Sequence, residues 1–128
     1  MKRYFALAAT LALAATVYAA DVQDITIPQL KDAIQAKQVT LLDANGTKSW
    51  KAGHIPGAID FKANPDKLAS LLPADKGALV VAYCGGPQCQ AYKAAVEAAQ
   101  KLGYTNIKHL AAGISGWTKA GEATDKGS

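Results

Sequence analysis

Leu79-Val80-Val81-Ala82-Tyr83-Cys84-Gly85-Gly86-Pro87-Gln88-Cys89-Gln90 is the stretch on which the reading of this chain turns. Leu79 to Tyr83 is a short run, apolar on both faces. Such a run suits a parallel strand covered by helices on each side. Two glycines and a proline then break the chain, and a helical pattern opens at about Gln90. In open α/β sheets, ligands bind beyond the carboxyl ends of the strands. Cys84 is the first residue past such an end. The glycines allow the backbone N–H groups to turn inward as an anion-binding nest, and the helix start behind them adds partial positive charge. Both effects favour a thiolate over a thiol. A thiolate is a nucleophile, and the same donors would hold an anionic persulfide. Cys84 is therefore the candidate nucleophile, and Gly85, Gly86, Pro87, Gln88 and Gln90 are the candidate substrate cradle. The bland alternative is an inert cysteine in a strand-to-helix turn.

Working outward, Val39–Leu42, Ala58–Asp60 and Ile107–Leu110 are further strand candidates. Between them lie helical patterns. Pro28 to about Lys37 carries Leu30, Ala33 and Ile34 on one stripe. Pro65–Leu72 follows Asn64 as a possible cap. Gln90 to Leu102 is predicted to bury Ala91, Ala95, Ala98 and Leu102 and to stop at Gly103. A last helix covers Ile114–Ala120. Strand and helix in alternation predict an α/β fold with right-handed crossovers. The polar tail Glu122–Ser128 is expected to fray.

The chain has 128 residues and is 50% hydrophobic, which suits one domain. Residues 1–20 stand apart. Lys2 and Arg3 precede an apolar run from Phe5 to Val17, and Val17-Tyr18-Ala19 offers small residues for cleavage. This is the layout of a secretory signal peptide, with too short a run to span a bilayer comfortably. The expectation is an exported, periplasmic or secreted domain of residues 21–128 that does not stay with the membrane after cleavage. That part holds twelve lysines against ten acids, a net charge of +2. This excludes a strongly basic nucleic-acid surface. Arg3 is the only arginine, so the mature chain has no guanidinium fork for an oxyanion.

The Cys84 segment resembles the active-site loop of the rhodanese family of sulfurtransferases. Two further stretches resemble the family's signatures in order. One is Leu41-Leu42-Asp43-Ala44-Asn45, followed by Gly53-His54-Ile55-Pro56-Gly57-Ala58-Ile59. The other is Gly113-Ile114-Ser115-Gly116-Trp117, then Gly121. The resemblance covers about residues 25–121. It implies an α/β doubly wound parallel sheet of five strands with helices on both faces. It also implies a cysteine, here Cys84, that takes sulfane sulfur from a donor such as thiosulfate and passes it to cyanide or a thiol. The chain departs from the family at two points. Cys89 stands where many active members carry a basic or hydroxyl residue, and Asn45 where arginine is frequent.

Cys89 follows Cys84 at C-x4-C spacing. Three readings stay open: a resolving cysteine that closes a disulfide and releases sulfide, a resting disulfide, or an unpaired space-filling residue. Asp43, at another strand end, is expected to support the loop by hydrogen bonding. His54 and His109 are read as packing histidines, Trp50 and Trp117 as core or pocket-wall aromatics, and Lys48 and Lys51 as solvated. The cysteines and histidines fit no common zinc spacing, and no cofactor is called for. The expected partners are a small sulfur-containing anion or a thiol acceptor, met by a monomer. Two other functions compete: a thiol–disulfide redox or sensing role for the Cys84/Cys89 pair, and a non-catalytic binding module. A Cys-x5-Arg phosphatase or arsenate reductase loop is disfavoured, because that register places Gln90 where arginine is needed.

Overall fold

The computed structural model describes residues 22–127. The signal-peptide expectation for residues 1–20 lies outside them. Five parallel strands form one sheet: β1 (Gln23–Asp24), β2 (Thr40–Asp43), β3 (Ile59–Asp60), β4 (Val80–Tyr83) and β5 (Ile107–His109), in the order β1-β5-β4-β2-β3. Helices α1 (Ile27–Gln35), α2 (Thr47–Ala52), α3 (Leu68–Leu71), α4 (Tyr92–Lys101) and α5 (Gly113–Lys119) fill the connections. Among the described residues no helix is long and apolar enough to cross a membrane.

The central strand β4 is buried along its whole length. Its alternation sends Val80, Ala82 and Cys84 to one face, with Leu42 of β2, Leu68 of α3 and Ala95, Val96 and Ala99 of α4. Val81 and Tyr83 go to the other face, with Leu30 of α1 and Trp117 of α5. Each large apolar side chain so buried contributes about 1.5–3 kcal/mol, which is why both faces of this strand must be apolar. Helix α1 opens on a capping box. Thr26 Oγ1 accepts the Gln29 N–H at 3.2 Å, and Gln29 Oε1 accepts the Thr26 N–H at 3.1 Å.

Several elements differ from the sequence reading. Helix α4 starts at Tyr92 rather than Gln90, and its buried face is Ala95, Val96 and Ala99. Ala91, Ala98 and Leu102 only flank it. The residues from Pro65 to Lys67 form turns, and α3 is one turn long. Asn64 does not cap it, since its Nδ2 donates to the Asp60 carbonyl at 2.9 Å.

Residues 122–127 are tied to the domain rather than frayed, and Ser128 lies outside the described residues. Asp125 and His54 exchange backbone hydrogen bonds at 2.9 and 3.0 Å, and Gly127 N–H donates to the Lys51 carbonyl at 2.9 Å. Trp117 Nε1 donates to the Ala123 carbonyl at 2.8 Å, and Lys31 Nζ meets Glu122 at 2.9 Å. Except for Trp117 and Ala123 these partners are distant in sequence, so polarity alone gives no sign of them.

Lys37 ends α1 in the left-handed region, φ 55°, with its N–H on the Ile34 carbonyl and the Gln38 N–H on that of Ala33. Glycine adopts this conformation without the Cβ penalty. Lys37→Gly is expected to raise stability by about 0.5–1 kcal/mol. The check is a higher urea midpoint at unchanged slope.

Candidate functional site

The loop from Cys84 to Ala91 joins β4 to α4 and is held from one side. The Ile114 N–H donates to the Cys84 carbonyl at 2.9 Å, and the Ser115 N–H to the Gly85 carbonyl at 3.0 Å. This approach requires glycine at 113. A Cβ there would lie 2.6 Å from Gly85 C and Gly86 N and 2.7 Å from Cys84 O, and φ is +62°. In a trans peptide the carbonyl and the following N–H point in opposite directions, and the described residues contain no cis bond. With the Cys84 and Gly85 carbonyls committed to α5, the N–H groups of Gly85 and Gly86 point away from it. The amides of Gly85, Gly86, Gln88 and Gln90 have no acceptor among the described residues, and no side chain caps α4. Among the described residues these four amides are therefore unpaired donors. Cys89 N–H is the exception, donating to the Gly86 carbonyl at 3.1 Å.

Cys84 and Cys89 are joined by a disulfide, with Cα atoms 6.2 Å apart. Of the three readings for Cys89, the unpaired residue is therefore corrected: a tight loop of four intervening residues brings the two within bonding reach. Cys84 is 1% exposed and packed among apolar side chains. Cys89 lies partly exposed against the same cluster. In this oxidised form no substrate reaches the Cys84 sulfur. A groove of about 540 Å³ does exist, lined by Lys37, Thr40, Asp75, Leu79 and Asn106 among others. It lies at the amino ends of β2 and β4, the opposite end of the sheet from Cys84.

Asp43 is buried beside β4 and serves the loop indirectly. Its Oδ2 accepts the Tyr83 hydroxyl at 2.8 Å, and its Oδ1 accepts the Asn45 N–H at 2.8 Å. Tyr83 Oη in turn accepts the Ile55 N–H at 3.0 Å. Burial raises the Asp43 carboxyl above the usual carboxylate range against the opposing pull of the Asn45 and Tyr83 hydrogen bonds. Burial and the Asp43 charge push the Tyr83 phenol up as well. Tyr83 was read only as the end of a strand. Its hydroxyl ties the Gly53–Gly57 turn to the strand that carries Cys84.

The sequence reading names Asn45 as a departure from the family but assigns nothing to Ser115, and both lie beside the double glycine. A Cβ at Gly85 would sit 3.7 Å from Asn45 Oδ1, and one at Gly86 would sit 3.9 Å from Ser115 Oγ. Both lie inside signatures already quoted, but only the fold reveals which face of each meets the loop. His54 packs, with Nδ1 2.7 Å from the Trp50 carbonyl and its ring stacked on Trp50. His109 stacks on Tyr92 at 3.4 Å, and its Nδ1 lies 3.4 Å from Asp24. Burial lowers the His109 pKa, while Asp24 opposes the shift. Lys48 and Lys51 are exposed.

Comparison with known proteins places this geometry. A family model described as Rhodanese-like domain matches residues 26–120. The chain is 36% identical over 116 residues to an HTH-type transcriptional regulator of Mycobacterium tuberculosis. The match takes in 89% of this chain and 50% of that protein, so the chain spans about half the length of this curated relative. A rhodanese-related protein of Thermoplasma volcanium superposes with a TM-score of 0.61 at 25% identity, over 80% of this chain and 97% of that one. SseA of Escherichia coli, a 3-mercaptopyruvate sulfotransferase, gives 0.66 at 18% identity over 84% and 51%. A human single-domain sulfurtransferase gives 0.59 at 22% over 77% and 96%.

Two outcomes follow from the site's construction. Gly113→Ala is expected to cost at least about 2 kcal/mol, from the left-handed φ plus the clash with the loop. Gly121→Ala, at φ +80° with open space around it, should lose only about 1 kcal/mol. Urea unfolding of both variants measures the difference.

The second concerns pH. The folded state binds the Asp43 proton more tightly than the unfolded chain does. Its contribution to stability is therefore greatest below the unfolded carboxylate pKa and falls as pH rises through the folded one. The stability of the wild type relative to Asp43→Asn should decline as pH rises from about 4, the unfolded carboxylate value, through the raised folded one. Urea midpoints of the two proteins across that range provide the check.

Proposed function

The chain belongs to the rhodanese-like domain family, and on that footing we propose that it is a sulfurtransferase carrying sulfane sulfur as a persulfide on Cys84. The observation that carries this reading is the loop itself. A cysteine stands at the carboxyl end of the central strand, and the amides of Gly85, Gly86, Gln88 and Gln90 have no acceptor among the described residues. Such donors stabilise a sulfur anion in either of the two forms the reaction needs. The Cys84 thiolate attacks the outer sulfur of a donor such as thiosulfate. An S–S bond forms on Cys84, the donor's S–S bond breaks, and sulfite leaves with the electron pair. The persulfide then has two exits. An external thiolate or cyanide takes its outer sulfur, regenerating the Cys84 thiolate. Alternatively Cys89 attacks Cys84 Sγ, closes the disulfide and releases hydrosulfide, which carries the Cys89 proton.

Asp43 and Tyr83 hold the strand end in place. Asn45 and Ser115 flank the double glycine and offer neutral polar groups rather than the cations that suit a dianionic sulfonate. The basic and apolar start of the sequence supports export, and an oxidising compartment suits a closed Cys84–Cys89 pair. We take the working unit to be a monomer acting on a small sulfur anion or a thiol, without a cofactor.

A second reading is favoured by the disulfide: a thiol–disulfide or sensing role in which no sulfur is carried. The named role of the mycobacterial relative as a transcriptional regulator accords with the fold serving regulation in a longer chain.

The test is intact-mass measurement of reduced protein after incubation with thiosulfate. A gain of one sulfur is expected. It should be absent in Cys84→Ser and accumulate in Cys89→Ser, where the internal exit is blocked. Absence of any gain, with reversible loss of two hydrogens only, transfers the assignment to the redox reading.

A further inference from the structure

The closed disulfide is asymmetric. Cys84 is 1% exposed, enclosed by the cluster containing Leu42, Ala82 and Ala95. Cys89 is only partly buried, and Pro87, Gln88 and Gln90 around it are exposed. Thiol–disulfide exchange needs a thiolate to approach one sulfur while the other departs with the electron pair. Access selects Cys89 as the sulfur attacked.

We propose that the Cys84–Cys89 disulfide is reopened by a thiol reductant that attacks Cys89 Sγ, so that the reductant is bound transiently to Cys89 while Cys84 is released as the thiolate. The inference rests on the sulfur-carrier reading only for its place in a cycle. In the first step RS⁻ forms an RS–S bond to Cys89 and breaks the Cys84–Cys89 bond. In the second, another thiolate attacks the reductant's sulfur, giving its disulfide and returning Cys89 as a thiolate. Two electrons pass from the reductant to the protein, and a dithiol carries out both steps. The surface it meets, Pro87-Gln88-Cys89-Gln90, carries no charged side chain. The partner class is therefore a thiol reductant whose reactive sulfur can be presented to a small uncharged turn. Each persulfide resolved internally consumes one such reduction, so a reaction supplying reduced thiols must stand beside this one.

The experiment uses the oxidised wild-type chain, mixed briefly with glutathione and quenched with N-ethylmaleimide. Fragmentation of the peptide containing both cysteines then locates the two labels. Glutathione on Cys89 with maleimide on Cys84 should exceed the reverse pattern by about ten to one or more, as expected when access selects the sulfur attacked. The reverse pattern, an even mixture, or no glutathione adduct on either sulfur overturns the proposal. The result is independent of sulfur uptake. Glutathione found on Cys89 in a protein that gains no sulfur from thiosulfate would overturn the sulfur-carrier reading alone.

Discussion

Two hydrogen bonds, from Ile114 to the Cys84 carbonyl and from Ser115 to the Gly85 carbonyl, hold the loop on which the site depends. They fix two successive peptide planes, and planarity does the rest. Once the carbonyls face α5, the N–H groups that follow them must face the other way. A loop chosen only for flexibility would have no preferred direction for its amides. This one has a direction because a glycine at position 113 lets the helix start come within bonding distance of the loop backbone. The sulfur chemistry proposed for Cys84 thus rests on a contact made by residues nearly thirty positions away in sequence.

A second layer of support runs beneath the sheet's carboxyl edge. Asp43, Tyr83 and Ile55 form a buried chain of hydrogen bonds linking β2, β4 and the turn before β3. The carboxylate is desolvated, yet two donors keep it satisfied, a costly arrangement that low-dielectric surroundings make rigid when complete. On the other side of the same turn, His54 is fixed by its stack on Trp50 and by the backbone bridge to Asp125. The turn between Gly53 and Gly57 is thereby fastened from both sides, and through Tyr83 it bears on the strand that presents the cysteine.

How much of this was legible in the sequence depends on the range of the interaction. Runs such as Val80–Tyr83 announce themselves, because burial on both faces leaves no room for polar residues. The position of Cys84 at a strand end follows from that run and the glycines after it. The two-residue strand β1, Gln23–Asp24, is exposed and carries no apolar signal, and α2 buries nothing. Neither has a pattern to read. The stripe of α4 was misjudged because a helix so rich in alanine presents several apolar faces, and only contact with Leu42 and Val80 decides between them. The ordering of the tail, the proximity of Asn45 and Ser115 to the glycines, and the closure of Cys89 over Cys84 all come from tertiary approach. The C-x4-C spacing made the last of these possible without choosing it.

The sheet's outline has a consequence for how the molecule behaves in company. Both of its margins, β1 and β3, are only two residues long. An incoming chain seeking to extend the sheet would find very few unpaired backbone groups on either flank, too little to template a cross-strand seam. The long apolar strands that would be dangerous if laid bare are sequestered in the middle, so crowding should not readily recruit these molecules into ribbons.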